Sequence, residues 1–125
     1  MTKILLVMLG GSIGALSRYW VSLLALKLFG ARFPWGTLLV NLSGCFLIGV
    51  AYALAERGSQ WMNPSMRVFF VTGYLGALTT FSTYALETTT AAGDGDRVGA
   101  LLNLAANNLL GLGLVLLGAW IARAR

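Results

Sequence analysis

Residues 33–55 read FPWGTLLVNLSGCFLIGVAYALA, and no charged side chain interrupts them. At a rise of 1.5 Å per residue, ~20 apolar residues cross the ~30 Å hydrocarbon core of a bilayer. Residues 33–55 meet that length, which identifies a transmembrane helix. Outward from this stretch, residues 68–86 and 98–122 are also free of charge. Ile4 to Leu26 is apolar except for Arg18. A lysine ahead of a hydrophobic run can mark a secretory leader, but this run is long, is interrupted by an arginine and lacks a small-x-small cleavage site. It reads as a retained helix. The expectation is an all-α membrane domain, 1–125, with four transmembrane helices at about 4–26, 33–55, 68–91 and 98–122.

The connectors are short. Lys27 to Pro34 joins the first two spans, Glu56 to Arg67 the next two, and Ala92 to Arg97, with Gly93 and Gly95, forms the last turn. Trp20 and Trp35 flank the first connector, while Trp61 and Trp120 fall at the opposite end. Indoles prefer the membrane interface, so these pairs mark two aromatic belts. Four spans place Lys3, Arg57, Arg67, Arg123 and Arg125 on one side. Lys27, Arg32 and Arg97 lie on the other, joined by Arg18 if it snorkels that way. Five against three or four is a weak bias under the positive-inside rule. Such a chain suits insertion in both orientations, and also an ordinary protein with its N-terminus inside.

Composition narrows the chemistry. The chain has 125 residues, 58% of them hydrophobic and 10% charged, which a soluble fold of this length cannot hide. With no histidine, one cysteine and four carboxylates, there is no donor set for a metal cage or a Cys–His nucleophile. An enzyme is not expected. Cys45, in an apolar run, reads as a small hydrophobe. The net charge of +5 comes from basic residues scattered between spans, which is how helix ends anchor at head groups rather than how nucleic acid is bound.

Polar residues within the spans carry the functional signal. Thr37, Asn41 and Ser43 lie in the second, and Asn103, Asn107 and Asn108 in the fourth. Asn103, Asn107 and Gly111 share one helical face, with Asn108 about 100° away. Amides like these also serve as simple glue between helices. Glycines throughout offer close-packing faces, and four helices leave no room for a pore in one subunit, so a homo-oligomer is expected. The third span reads GYLGALTTFSTYALE over residues 73–87. Two glycines followed by clustered hydroxyls make a candidate helix break, which survives at membrane depth only if buried or facing water. Its freed carbonyls suit a cation and its freed N–H groups an anion. Phe81 and Tyr84, three apart, fall on one side if the helix resumes.

Three stretches together resemble the Fluc (CrcB) family of fluoride channels: GGSIGALSRY at 10–19, GTLLVNLSGCFLIG at 36–49, and GYLGALTTFST at 73–83. The resemblance covers nearly the whole chain. It implies a dual-topology antiparallel homodimer in the cell inner membrane, with two pores passing fluoride passively. It also implies a central sodium ion on the backbone carbonyls of Gly76 and Thr79 from both subunits. The pore residues it implies are Asn41, Phe81, Ser82, Tyr84, Asn107 and Glu87, with Arg18 at the vestibule. This chain departs from the family in carrying Tyr84 where a second phenylalanine is usual, and Asn107 where a hydroxyl is frequent.

The residue types suit that role. An ion moved to low dielectric loses of order 20 kcal/mol on an idealised Born estimate. Amide N–H and hydroxyl groups replace its water, and a phenyl ring offers a positive edge. Conduction needs sites that are favourable but weak. Arg18 either concentrates anions at the mouth or anchors the helix; Glu87 either accepts bonds from pore hydroxyls or sits in the interface. With no phosphate-binding loop, passive flow is the consistent mechanism, driven by about 2.3 kcal/mol per charge per 100 mV. Two alternatives stand beside it. A small proton-coupled multidrug exporter needs a carboxylate in its first helix, which is missing here. A non-transporting structural subunit would pass no ion at all.

Overall fold

A computed structural model describes residues 1–124; Arg125, counted above among the basic residues, lies outside the described residues. Helix α1 (Thr2–Phe29) ends at Gly30, whose φ of 77° stops the helix while its N–H still reaches the Leu26 carbonyl at 2.9 Å. Helix α2 (Trp35–Glu56) starts directly after Pro34, which has no N–H to leave unpaired. Phe29, Phe33 and Trp35 pack their rings across this connector, with centroids 5.4 and 4.9 Å apart. These three rings pin the turn.

The third segment starts earlier than the expected residue 68. Asn63 accepts from the Met66 N–H at 2.9 Å and Pro64 takes the first helical position, so α3 (Pro64–Arg67) rises out of the connector. It continues as a wide π-helical stretch, Val68–Leu75, and then as α4 (Gly76–Leu78). Thr79 and Thr80 are extended, with ψ of 156° and 116°, and α5 (Phe81–Gly93) follows. Asp96 then caps α6 (Arg97–Ala105), accepting from the Gly99 N–H at 2.8 Å. A π turn at Ala106–Leu110 leads into α7 (Gly111–Ala124).

Among the described residues, three helices are long and apolar enough to cross a membrane: Thr2–Phe29, Trp35–Glu56 and Arg97–Ala124. The stretch between the last two is helical in two shorter pieces, 64–78 and Phe81–Gly93.

Close backbone approach sets the packing. A Cβ at Gly10 would meet the Phe69 carbonyl, and one at Gly14 the Tyr74 carbonyl, so α1 lies directly against 64–78, running the same way. Gly49 and Gly118 do the same for α2 and α7, against the Val115 and Phe46 carbonyls. At one end Arg57 donates to the Ala122 carbonyl at 2.8 Å and Arg123 pairs with Glu56 at 2.8 Å. The first connector and the 94–96 turn share the other end. Leu16, Trp20, Leu109, Leu112, Leu116 and Trp120 face outward, whereas Thr37, Thr80 and Asn103 are buried. Leucine outside and amide inside is the distribution a lipid solvent imposes.

Candidate functional site

Asn41, in the second turn of α2, reaches the extended pair between α4 and α5. Its Oδ1 accepts from the Thr80 N–H at 2.8 Å, and its Nδ2 donates to the Thr80 carbonyl at 3.2 Å. One amide therefore satisfies both backbone groups of a residue that has left the helix, in an interior where an unpaired group costs several kcal/mol on a rough scale. Thr80 restarts the chain as helix: its Oγ1 accepts from the Thr83 N–H at 3.2 Å, an N-cap.

These two diversions have a consequence for carbonyls. In an unbroken helix the Thr80 N–H would bond Gly76, and the Thr83 N–H would bond Thr79. Here both donors go elsewhere, to Asn41 and to the Thr80 hydroxyl. The Gly76 and Thr79 carbonyls each lose the i+4 donor of a regular helix, and both residues line a cleft of about 360 Å³.

The amides continue as a line. Asn41 Nδ2 also donates to Asn107 Oδ1 at 2.9 Å. Asn107 Nδ2 donates to the Asn103 carbonyl at 3.1 Å and to Asn103 Oδ1 at 2.9 Å. Asn103, only 1% exposed, donates to Thr88 Oγ1 at 2.9 Å, and Thr88 donates to the Tyr84 carbonyl at 2.8 Å. Asn41 and Asn107 thus arrive at the cleft together, with their amide protons already committed.

The aromatic pair sits on the same cleft. Phe81 and Tyr84 meet edge to face, centroids 5.4 Å apart at 63°. Their settings differ: Tyr84 is 7% exposed, and Phe81 is 78% exposed. The Tyr84 hydroxyl accepts from Asn108 Nδ2 at 2.8 Å. Ser82 is exposed, its Oγ 3.4 Å from the Thr80 hydroxyl, and it does not line the cleft.

Glu87 lies one turn further along α5. Its Oε1 accepts from Thr37 Oγ1 at 2.7 Å, while Oε2 is buried without a partner among the described residues. Thr37 and Glu87 line a second cleft, about 620 Å³, which includes Arg32, Asp94 and Asp96 at the connector end. Arg18 is half-buried on α1 and lines neither cleft within one chain.

Of the residues expected from the sequence, Asn41, Gly76, Thr79, Phe81, Tyr84 and Asn107 converge on one cleft. Glu87 borders the other, and Ser82 and Arg18 stand apart. Thr80, Thr37, Thr88 and Asn108 complete the network without having been among the expected site residues. For Thr80 a signal existed, a threonine three residues ahead of Thr83 at a helix start. Thr37 and Glu87 are 50 residues apart, a pairing that no local pattern carries.

Residues 5–119 match the family described as CrcB-like protein, Camphor Resistance (CrcB). Similar proteins include one from Shewanella sp. (strain W3-18-1), 45% identical over 125 residues, covering 100% of this chain and 99% of the relative. Others come from Shewanella sp. (strain ANA-3) and Shewanella baltica (strain OS185), each 46% identical with the same coverage. All three relatives are named fluoride-specific ion channel FluC.

Proposed function

This chain belongs to the CrcB family, and from that premise we propose that it is a fluoride-selective ion channel of the cell inner membrane, not an enzyme. Four membrane passes, the third broken at Thr79 and Thr80, form one subunit of a dual-topology antiparallel homodimer with two pores. Fluoride flows passively outward, driven by the inside-negative potential. The relatives supply the ion; the observation that carries the mechanism is Asn41 holding the extended residues beside a cleft edged by Phe81 and Tyr84.

Fluoride passes by exchanging hydrogen bonds. The Asn41–Asn107 bond at 2.9 Å opens, and one amide proton turns to the anion. A neutral bond contributes about 1 kcal/mol net, and one to a charge about 1.5–3 kcal/mol, so the exchange is favourable but shallow. Phe81 offers its ring edge, and its exposure in the single chain suits a wall completed by the second subunit. Ser82 adds a hydroxyl from that same exposed side. Glu87 holds Thr37 toward the second cleft, where the ion reaches water, and Arg18 attracts anions at the mouth.

A sodium ion fits the break. Its ligands would be the Gly76 and Thr79 carbonyls, whose helical donors are diverted, supplied by both subunits. Bound there, it would supply positive charge shared by carbonyls of the two copies.

The test is efflux from liposomes. Purified protein should release fluoride without ATP or a proton gradient while retaining chloride. Equal chloride release, or fluoride release only with a proton gradient, would reject the channel.

A further inference from the structure

Around the 360 Å³ cleft nearly every polar proton is already in use. Asn41 commits both amide protons, to Thr80 and Asn107; Asn107 commits both to Asn103. The Thr79 hydroxyl donates to the Leu75 carbonyl at 3.0 Å, and the Thr80 hydroxyl to Thr83 at 3.0 Å. Asn108 Nδ2 donates to the Leu104 carbonyl at 2.8 Å. A carbonyl accepts only, so this contact fixes which end of the amide is nitrogen. The second Nδ2 proton goes to the Tyr84 oxygen, also at 2.8 Å. The phenol oxygen is therefore an acceptor in this pair, and its own proton has no acceptor among the described residues.

We propose that Asn108 is a positioning residue that holds the Tyr84 phenol with its proton free, so that Tyr84 is the donor ready for the anion before any amide lets go. The inference deepens the channel reading and rests on it. Asn41 and Asn107 must break an existing bond to serve an ion, whereas Tyr84 breaks none. Its oxygen is also polarised by the Asn108 donor, which makes the remaining O–H a better one. The buried ring allows the hydroxyl little freedom to swing away. Tyr84 thereby sets the depth of the first site, and Asn108 acts only through it.

The concentration dependence of fluoride efflux tests this in the full-length protein. Tyr84→Phe keeps the ring edge and removes the donor. It should raise the fluoride concentration giving half-maximal rate by about tenfold, with the maximal rate retained or raised and chloride still excluded. Asn108→Leu should produce a similar shift. Combined with Tyr84→Phe it should add nothing, whereas a packing defect would add in full. A half-maximal concentration unmoved by Tyr84→Phe overturns the proposal while leaving the channel standing. So does an independent, additive effect of Asn108→Leu. Absence of fluoride flux in the unaltered protein overturns both readings together.

Discussion

Asn41 and Phe81 border the same cleft yet stand in opposite relations to the fold. Asn41 bonds the N–H and carbonyl of Thr80, so its loss strands two backbone groups of a buried residue. Phe81 lies largely outside the packed interior of its own chain. Asn41→Ala should therefore depress fluoride flux strongly and also destabilise the protein by about 1–3 kcal/mol, seen as a lower Tm in detergent. Phe81→Ile should depress flux as strongly while the Tm holds. Wild-type flux in a folded Phe81→Ile protein would reduce that ring to packing. A stable Asn41→Ala protein would mean that something other than Asn41 holds the extended pair.

At the scale of elements, glycines decide how near two helices come. On α7, Gly118 rests against the Phe46 carbonyl, where an added Cβ has no space. Gly113, little more than a turn away on the same helix, has nothing near it. Gly118→Leu should force α2 and α7 apart and cost at least about 1–3 kcal/mol, the scale of overpacking. Gly113→Ala should be neutral or mildly stabilising, since alanine is the better helix former. Thermal melts of the two variants in one detergent check this. Equal stability would mean the helices slide past each other freely. The glycine content was plain in the sequence, but which glycine touches backbone depends on the neighbour's register. The helix start at Pro64 shows the same division. Its Asn-Pro signal is local, yet the connector was expected to run to Arg67 because the span was bounded by charge rather than by capping.

For the whole molecule, the placement of basic side chains bears on orientation. Arg57 and Arg123 gather with Glu56 at one end, and the first connector, with Arg32, lies at the other. Neither end is decisively more basic, so single-cysteine tags at either terminus should be labelled from both sides of the membrane by an impermeant thiol reagent. The assay belongs in a Cys45→Ala background, so that only the tag reacts. Labelling from one side alone would reject dual topology and require a parallel assembly.

Length, charge-free runs and tryptophan positions were enough to identify an all-helical membrane chain, because crossing hydrocarbon is a constraint each helix meets by itself. The convergence of Asn41, Phe81, Tyr84 and Asn107 was legible only through the family resemblance, since the residues are brought together from three separate helices. Beyond that reach lay the Thr37–Glu87 bond and the choice of Asn108, rather than Asn107, as partner to Tyr84. Two amides adjacent in sequence face different neighbours, one toward α2 and one toward α5. Helical periodicity states that they diverge by about 100°. Which partner each one meets is set by the rotation and depth of the packed helices, a property of the tertiary structure alone.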